Sequence, residues 1–191
     1  MKINCWLALT MLSVSVFSGC ATLPADTCVA TDNWESIGLI DGAAGRATDY
    51  LINHKKACAN VGVTVNNQMW EKGRQQGLAQ YCSTTNAYNI GRQGYYMNSV
   101  CPASITARLD KVNADGRQYY SFNRQLSLEK EQLKKYYNEY EQLIHGHNLN
   151  FTKEGDAKSY LIELPSKIEK LTERIDNLEY ALQQLQKKYG Y

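Results

Sequence analysis

Apolar side chains recur at alternating steps of three and four residues in the second half of the chain, and this spacing predicts two long amphipathic helices. Two polar residues interrupt the first seam, whose members are Leu109, Val112, Gly116, Tyr119, Asn123, Leu126, Lys130, Leu133, Tyr137, Tyr140 and Ile144. The second seam has no polar member and consists of Leu161, Leu164, Ile168, Leu171, Ile175, Leu178, Leu182, Leu185 and Tyr189. A repeat kept over this length predicts a coiled coil.

The two predicted helices are separated by residues 145–158, in which glycine and asparagine break the pattern. Pro165 marks either the first turn of the second helix or a kink within it. We expect the two helices to pair as an antiparallel hairpin because both partners are present in one chain. A homodimeric coiled coil is the alternative.

Glycine, in place of leucine, sets the pattern between residues 34 and 118. Trp34, Gly38 and Gly42 recur every four residues, and the tripeptide Gly-Arg-Gln occurs three times, at 73–75, 91–93 and 116–118. Glycine weakens an isolated helix, so its repetition on one face predicts close approach of another backbone. The sequence therefore predicts an all-α fold, with short helices that cross at glycine contacts and then a long helical hairpin.

The first nineteen residues form a different kind of segment. Lys2 precedes an apolar run from Cys5 to Phe17, which is too short to span a bilayer and is typical of an export signal. Its end, Phe17-Ser18-Gly19-Cys20, resembles the bacterial lipobox, in which the cysteine is lipidated and becomes the new N-terminus. The alternative is an ordinary signal peptide that contains Cys20.

These patterns divide the chain into four predicted parts. They are a lipoprotein signal peptide (1–19), a tether (20–33), a disulfide-stapled helical module (34–107) and the hairpin (108–191). Lipid chains on Cys20 would anchor the chain to a membrane. Lipoproteins that this sequence resembles are retained in the inner membrane mainly when Asp follows the lipidated cysteine. Ala21 stands there, so we expect the periplasmic face of the outer membrane.

Four cysteines remain after the leader and Cys20 are set aside, and an even number in an exported chain predicts disulfides. We expect Cys28 to pair with Cys58 and Cys82 with Cys101, because each pair brackets one local segment. Zinc ligation is the alternative, although the chain has no C-x₂-C pair.

Charge is balanced along the chain, with a formal net charge of +2 that falls to +1 once Lys2 leaves with the leader. A nucleic-acid binder normally concentrates basic residues in one region, so we expect no nucleic-acid partner. The hydrophobic fraction of 43% is enough to form a core.

Arg74, Arg92 and Arg117 are the best candidate for a binding site, because each follows a helix glycine and the three could converge on an anion. The alternative is that each arginine caps a helix or stacks on a neighbouring tyrosine. Three tyrosine doublets are each expected to place one ring on the packed face and one nearer solvent: Tyr95-Tyr96, Tyr119-Tyr120 and Tyr136-Tyr137.

No catalytic or metal motif stands out. His145 and His147 lie on the predicted loop without a third ligand nearby, and we expect them to be solvated. We expect His54 to cap a helix or lie on the surface, and interaction with Trp34 or a carboxylate is the alternative. Asp41 is either a buried acid or an acceptor for a neighbouring helix N-terminus. The chain has no G-x-S-x-G sequence, so we expect no nucleophilic triad. Because no catalytic or cofactor motif rises above background, we also expect no cofactor and no enzymatic activity.

The order of cysteines, glycines and aromatics from Cys28 to about Tyr120 resembles a bacterial lipoprotein family, domain of unknown function 2799 (DUF2799). The resemblance is carried by Trp34-x₃-Gly38-x₂-Asp41-Gly42-x₂-Gly45, His54-x₃-Cys58, Gly73-x₃-Gly77-Leu78-x₂-Tyr81-Cys82, Gly91-x₂-Gly94 and Val100-Cys101-Pro102. Trp70 stands where the family pattern has Tyr. The resemblance implies a location in the envelope and this module, but no activity or site residues.

We therefore expect a non-enzymatic envelope lipoprotein that uses the hairpin for scaffolding or for contact with another protein. That partner could also be a second copy of the chain. The alternative is a binder of cell-wall or lipid anions through the arginine set. An envelope hydrolase is a third class, and it would need a catalytic cleft that the sequence does not reveal.

Overall fold

The structure, a computed structural model of the chain, describes residues 23–30, 33–147 and 149–190. These residues are mostly helical and include no strand, so the predicted all-α class is confirmed. The helices are α1 (Ala25–Ala30), α2 (Trp34–Ala43), α3 (Leu51–Ala59), α4 (Asn67–Tyr81), α5 (Thr84–Arg92), α6 (Ala103–Ile144) and α7 (Glu154–Tyr189), with a 3₁₀ turn at Thr48–Tyr50. The predicted signal peptide and Cys20 lie outside the described residues.

The chain divides into two compact units, of which the first comprises residues 1–32 and 49–65. Its described part contains α1 and α3, and the Cys28–Cys58 disulfide joins them. An irregular tether was predicted as far as residue 33, but Ala25–Ala30 forms a short helix. Both cysteines of this disulfide are fully buried. Because Cys28 lies near the middle of α1, the disulfide holds that helix at its centre.

The second unit comprises residues 33–48 and 66–191 and contains the other five helices. Within it α2 packs on α4, α5 on α6, and α6 on α7. Polar side chains before α2, α4 and α5 cap these helices, since Asn33, Asn66 and Ser83 each accept a hydrogen bond from the backbone N–H three residues later. These caps set where the short helices begin.

The core of the second unit lies where α4, α5 and α6 meet. Its buried residues are Leu78, Tyr81, Cys82, Ala87, Tyr88, Leu109 and Val112. The Cys82–Cys101 disulfide closes this core by tying the end of α4 to the segment before α6. Both disulfides therefore have the pairing expected from the sequence.

The long helices α6 and α7 contain 42 and 36 residues, or about 63 Å and 54 Å at 1.5 Å per residue. Helix α7 begins at Glu154, so the connection is shorter than the predicted 145–158 loop. Pro165 lies inside α7, and the helix continues through it. Partners on the two helices run in opposite order: Asp115 contacts Lys188, Glu129 contacts Arg174, and Glu139 contacts Tyr160.

The predicted seam of α7 is correct, because none of its nine members is exposed. The predicted seam of α6 is wrong by one position in its second half. Asn123, Lys130, Tyr137 and Ile144 are exposed, whereas their predecessors Phe122, Glu129, Tyr136 and Leu143 are at least partly buried. Helix α6 turns Leu109 and Val112 toward α5, and beyond residue 120 it presents a slightly rotated face to α7.

Candidate functional site

Glycines allow α2 and α4 to cross in backbone contact. A Cβ atom added to Gly38 would lie 1.9 Å from the Trp70 carbonyl oxygen, and one added to Gly73 would lie 1.8 Å from the Glu35 carbonyl oxygen. Gly42 and Gly77 meet backbone atoms of the opposite helix in the same way. No side chain fits at these distances, so the repeated glycines fulfil the packing role predicted for them.

Arg74 lies at this crossing and is almost fully buried, with 5% of its surface exposed. Its Nε and Nη2 atoms each donate to a carboxylate oxygen of Glu71 at 2.8 Å, and Nη1 donates to the Arg46 carbonyl oxygen at 3.1 Å. The Arg74 hydrogen bonds hold the pKa of Glu71 below its usual range. Arg74 is thus engaged in a bidentate ion pair within its own helix.

Asp41 is the buried acid of this crossing. Its carboxylate accepts a hydrogen bond of 2.8 Å from the indole nitrogen of Trp70, and both side chains are buried. The sequence left open whether Asp41 would be buried or would accept from a helix N-terminus. The structure gives it a side-chain donor from α4, which fixes the orientation of the Trp70 ring.

A second glycine crossing joins α5 to α6. A Cβ added to Gly91 would lie 2.3 Å from the Asn113 carbonyl oxygen, and one added to Gly116 would lie 2.4 Å from the Tyr88 carbonyl oxygen. Asn113 is buried and donates through Nδ2 to the carbonyl oxygens of Ala87 and Tyr95. Asn113 therefore ties both α5 and the segment that follows it to α6.

Two of the three arginines lie at this second crossing, each against a tyrosine ring. The Arg92 guanidinium lies 4.5 Å from the Tyr119 ring centre, and the Arg117 guanidinium lies 3.7 Å from the Tyr96 ring centre. Arg117 also donates from Nε to the Asn113 side-chain oxygen at 3.3 Å. The structure thus brings Arg92 and Arg117 to one crossing and places Arg74 at the other.

The tyrosine doublets follow the predicted division only where they are helical. In α6, Tyr119 and Tyr136 are partly buried while Tyr120 and Tyr137 are exposed. The Tyr95-Tyr96 doublet does not follow this division, because both side chains are exposed, with 66% and 72% of their surface accessible. Helix α5 ends at Arg92, so this doublet lies in the irregular segment after the 93–94 turn and not on a helix face.

The end of α7 forms a latch on the α5–α6 crossing that sequence analysis missed. The Tyr189 ring stacks on the Tyr88 ring with centres 4.1 Å apart, and Lys188 and Tyr189 both donate to the Asp115 carboxylate. Burial raises the pKa of Asp115, but these hydrogen bonds outweigh burial and the pKa lies below its usual range. The only signal in the sequence was that Tyr189 ends the α7 seam.

A groove runs beside the α6–α7 seam and encloses about 560 Å³. It is lined by Tyr137, Tyr140, Pro165, Ile168, Glu169, Thr172, Glu173 and Asp176. Sequence analysis had identified Tyr137, Tyr140, Pro165 and Ile168 as members or neighbours of the seams, but it had not identified the other four. Its walls are apolar and its α7 edge is acidic.

The histidines are not brought together. His54 was predicted to cap a helix or lie on the surface, but it is buried and its ring meets the Tyr50 ring edge-on at 5.2 Å. His145 and His147 are exposed beyond the end of α6. Among the described residues, no three His, Cys, Asp or Glu side chains cluster so that they could hold a metal ion.

None of the helices in the described ranges combines the length and the apolar character that crossing a membrane requires.

Residues 33–118 match the model of the family described as a protein of unknown function, DUF2799. The match covers the two glycine crossings and ends within α6, so it supports the domain resemblance seen in the sequence for this part of the chain. Comparison with curated proteins and with solved structures finds no match.

Proposed function

We propose that this chain is a non-enzymatic lipoprotein of the bacterial envelope that uses α6 and α7 to contact another envelope protein. It is held at the periplasmic face of the outer membrane by lipid on Cys20. The two glycine crossings form the base on which the long helices are mounted. The observation that carries the proposal is the extent of α6 and α7 beyond the α5–α6 crossing.

The proposal includes an antiparallel coiled-coil hairpin. Its support is the opposite order of cross-helix partners, in which Asp115, Glu129 and Glu139 of α6 contact successively earlier residues of α7. The unbroken apolar seam of α7 also supports it. An extended helical pair offers two long polar flanks for recognition, as coiled coils do in partner selection.

The lipid anchor rests on the leader and Cys20, and the two disulfides are consistent with an oxidising compartment. Membrane fractionation tests it. A Cys20→Ser variant should leave the membrane fraction and lose incorporation of labelled palmitate. The matched Cys5→Ser variant should keep both, because Cys5 leaves with the leader. Membrane retention of the Cys20→Ser protein would refute the anchor.

Shortening the helical pair tests the contact function. Excision of residues 126–139 together with 164–177 removes two heptads from each helix. The register is preserved, because in the opposite order of the two helices the first residue of each excised segment lies opposite the last residue of the other. The variant should fold, as measured by circular dichroism, and should remain in the membrane fraction. It should lose the crosslinked adduct that the unaltered protein gives in intact cells.

Light scattering separates the hairpin from a homodimeric coiled coil. If the helices form a hairpin, the protein expressed from residue 21 and purified without detergent should be monomeric. A tight dimer that becomes monomeric on the two-heptad excision would show that α6 and α7 form a homodimeric coiled coil and not a hairpin. An adduct that survives the excision would place the contact surface outside these helices.

An anion site at the α5–α6 crossing is the second candidate function. The observation that favours it is that Arg92 and Arg117 lie at one crossing beside the exposed Tyr95 and Tyr96 rings. Arg74 is left out because its guanidinium is buried against Glu71. An Arg92→Gln/Arg117→Gln variant should lose binding to peptidoglycan or lipid A in pull-down, whereas the two-heptad excision should keep it.

A further inference from the structure

The groove beside the α6–α7 seam is an apolar cleft with an exposed wall. Tyr137 has 51% of its surface exposed and stands opposite α7, where Pro165 and Ile168 continue the apolar lining. Pro165 has no N–H to donate to the carbonyl of Leu161 one turn earlier, so the backbone there offers an acceptor. The volume of about 560 Å³ is enough for several side chains of one peptide element.

In the described part of the chain, the groove carries acidic side chains along its α7 edge and no basic ones. Glu169, Glu173 and Asp176 recur at steps of four and three along α7, and the lining set within the described residues includes no Lys, Arg or His. The opposite flank of α7 carries Lys167 and Arg174, which pair with Glu163 and Glu129. The groove edge is therefore acidic while the far flank is neutralised.

A second copy of this chain fits the groove poorly. A two-fold symmetric contact places each patch against itself, so Glu169, Glu173 and Asp176 would face the same three carboxylates. Like charges set opposite each other at an interface oppose association. The same charges attract a segment that carries Lys or Arg beside its apolar face.

We propose that this groove docks a cationic amphipathic helix of another protein. Apolar side chains of that helix at i, i+3/i+4 and i+7 lie against Tyr137, Tyr140 and Ile168. Its Lys or Arg side chains pair with the three carboxylates of α7. This inference rests on the proposed contact function of α6 and α7, and it assigns that contact to one flank.

A synthetic helix of about 18 residues, built from Leu, Ala and Lys with Leu on one face and Lys along its border, is the probe. Fluorescence anisotropy should show binding to the unaltered protein that weakens as salt increases, because the rim charges are solvent-exposed. A peptide with Glu in place of every Lys should not bind. Absence of binding by the Lys peptide would overturn the proposal.

Charge-neutral variants locate the binding. The variant Glu169→Gln/Glu173→Gln/Asp176→Asn should weaken binding by about tenfold or more. The matched control Glu131→Gln/Asp156→Asn/Glu163→Gln removes the same number of charges, one on α6 and two on α7, all outside the groove, and should stay within about twofold. An equal loss in both variants would show attraction by overall charge only and would overturn the proposal.

The apolar wall gives an independent readout. Tyr137→Ala should weaken binding of the Lys peptide at high salt, where charge contributes least, without lowering the helix content measured by circular dichroism. Tyr180→Ala is the control, because this tyrosine is similarly exposed but does not line the groove. Unchanged binding in Tyr137→Ala would refute docking in the groove.

The two proposals fail separately. Loss of the cellular adduct on two-heptad excision, with the groove variants still forming it, would refute the groove and leave the contact function standing. An adduct that survives both changes would refute the contact function, whatever the peptide does.

Discussion

At the scale of single residues, the glycines of the two crossings are the most constrained positions in the molecule. Backbone oxygens of the opposite helix occupy the space that a Cβ would need at Gly38, Gly73, Gly91 and Gly116. Each glycine lowers the intrinsic stability of its own helix by up to about 1 kcal/mol relative to alanine. Close packing of the two backbones, which also brings Trp70 against Asp41, offsets that cost.

Gly73→Ala should therefore destabilise the protein by about 1–3 kcal/mol, because the new methyl group forces α2 and α4 apart. Gly155→Ala is the matched control, since Gly155 also lies in a helix but has nothing within 4 Å of an added Cβ. That change should be neutral or stabilising by up to about 1 kcal/mol. Denaturant unfolding measures both, and equal midpoints would show that the crossing tolerates a side chain.

The Asp115 latch makes a second prediction at this scale. The pKa of Asp115 is depressed in the folded protein, so its contribution is present above the pKa of the unfolded carboxyl and is lost as pH falls through the folded pKa. Asp115→Asn should cost about 1 kcal/mol at neutral pH. The difference between variant and unaltered protein should begin to shrink below about pH 4, where the carboxyl of the unfolded chain becomes protonated, and should vanish below the lower pKa of the folded protein.

Thermal unfolding of both proteins across this pH range checks the prediction. Asp110→Asn is the control, because Asp110 is exposed on the same helix and outside the latch. A destabilisation by Asp115→Asn that persists unchanged in acid would show that the latch acts through packing of Tyr189 and not through charge.

At the scale of elements, α6 is one helix with two packing partners. Its first turns pack on α5 through Leu109, Val112 and Gly116, and its later turns pack on α7. The inward-facing positions near the change, of which 116 is buried and the others are partly buried, follow steps of three, three and four at 116, 119, 122 and 126, so one step is shortened. Such an irregularity shifts which face of a helix is buried.

Adjacent residues at the far end of α6 test this phase. Leu143→Ala should cost about 2 kcal/mol or more, because Leu143 is buried against Ala157 and Leu164. Ile144→Ala should cost well under about 1 kcal/mol, since 48% of Ile144 is exposed. Chemical denaturation of the two variants decides between the structure and the predicted seam, which placed Ile144 inside.

At the scale of the whole molecule, a disulfide reinforces each compact unit. Cys28–Cys58 joins α1 to α3 in the first unit, and Cys82–Cys101 closes the core of the second. The need is greatest in the first unit, because α1 has only six residues and a helix of that length is not stable alone in water.

Cys28→Ser/Cys58→Ser should therefore cost about 2–4 kcal/mol and abolish hydrogen-exchange protection in α1. The reporter is the Cys28 backbone position, whose N–H donates to the Pro24 carbonyl oxygen. The matched variant Cys82→Ser/Cys101→Ser should leave α1 protected. Slow exchange at position 28 in the first variant would show that packing alone holds α1.

Much of this architecture could be read from short-range pattern. The α7 seam, the helical class and the glycine spacing each depend on residues within a few turns, and the cysteine pairs bracket local segments. Local periodicity could not choose between two seams on α6 that share Leu126, Leu133 and Tyr140. They differ by one position elsewhere, and only the partner helix decides which is buried.

The sequence by itself determined the helical class and which face of α7 is apolar, because both follow from spacing along one helix. Tertiary structure decided which arginines lie at the same crossing, which side chain donates to the Asp41 carboxylate and how α7 is latched to Asp115. These contacts join residues far apart in the chain; Asp115 and Tyr189, for example, are separated by 74 positions. Their partners are set by how helices cross, which no local repeat of apolar residues encodes.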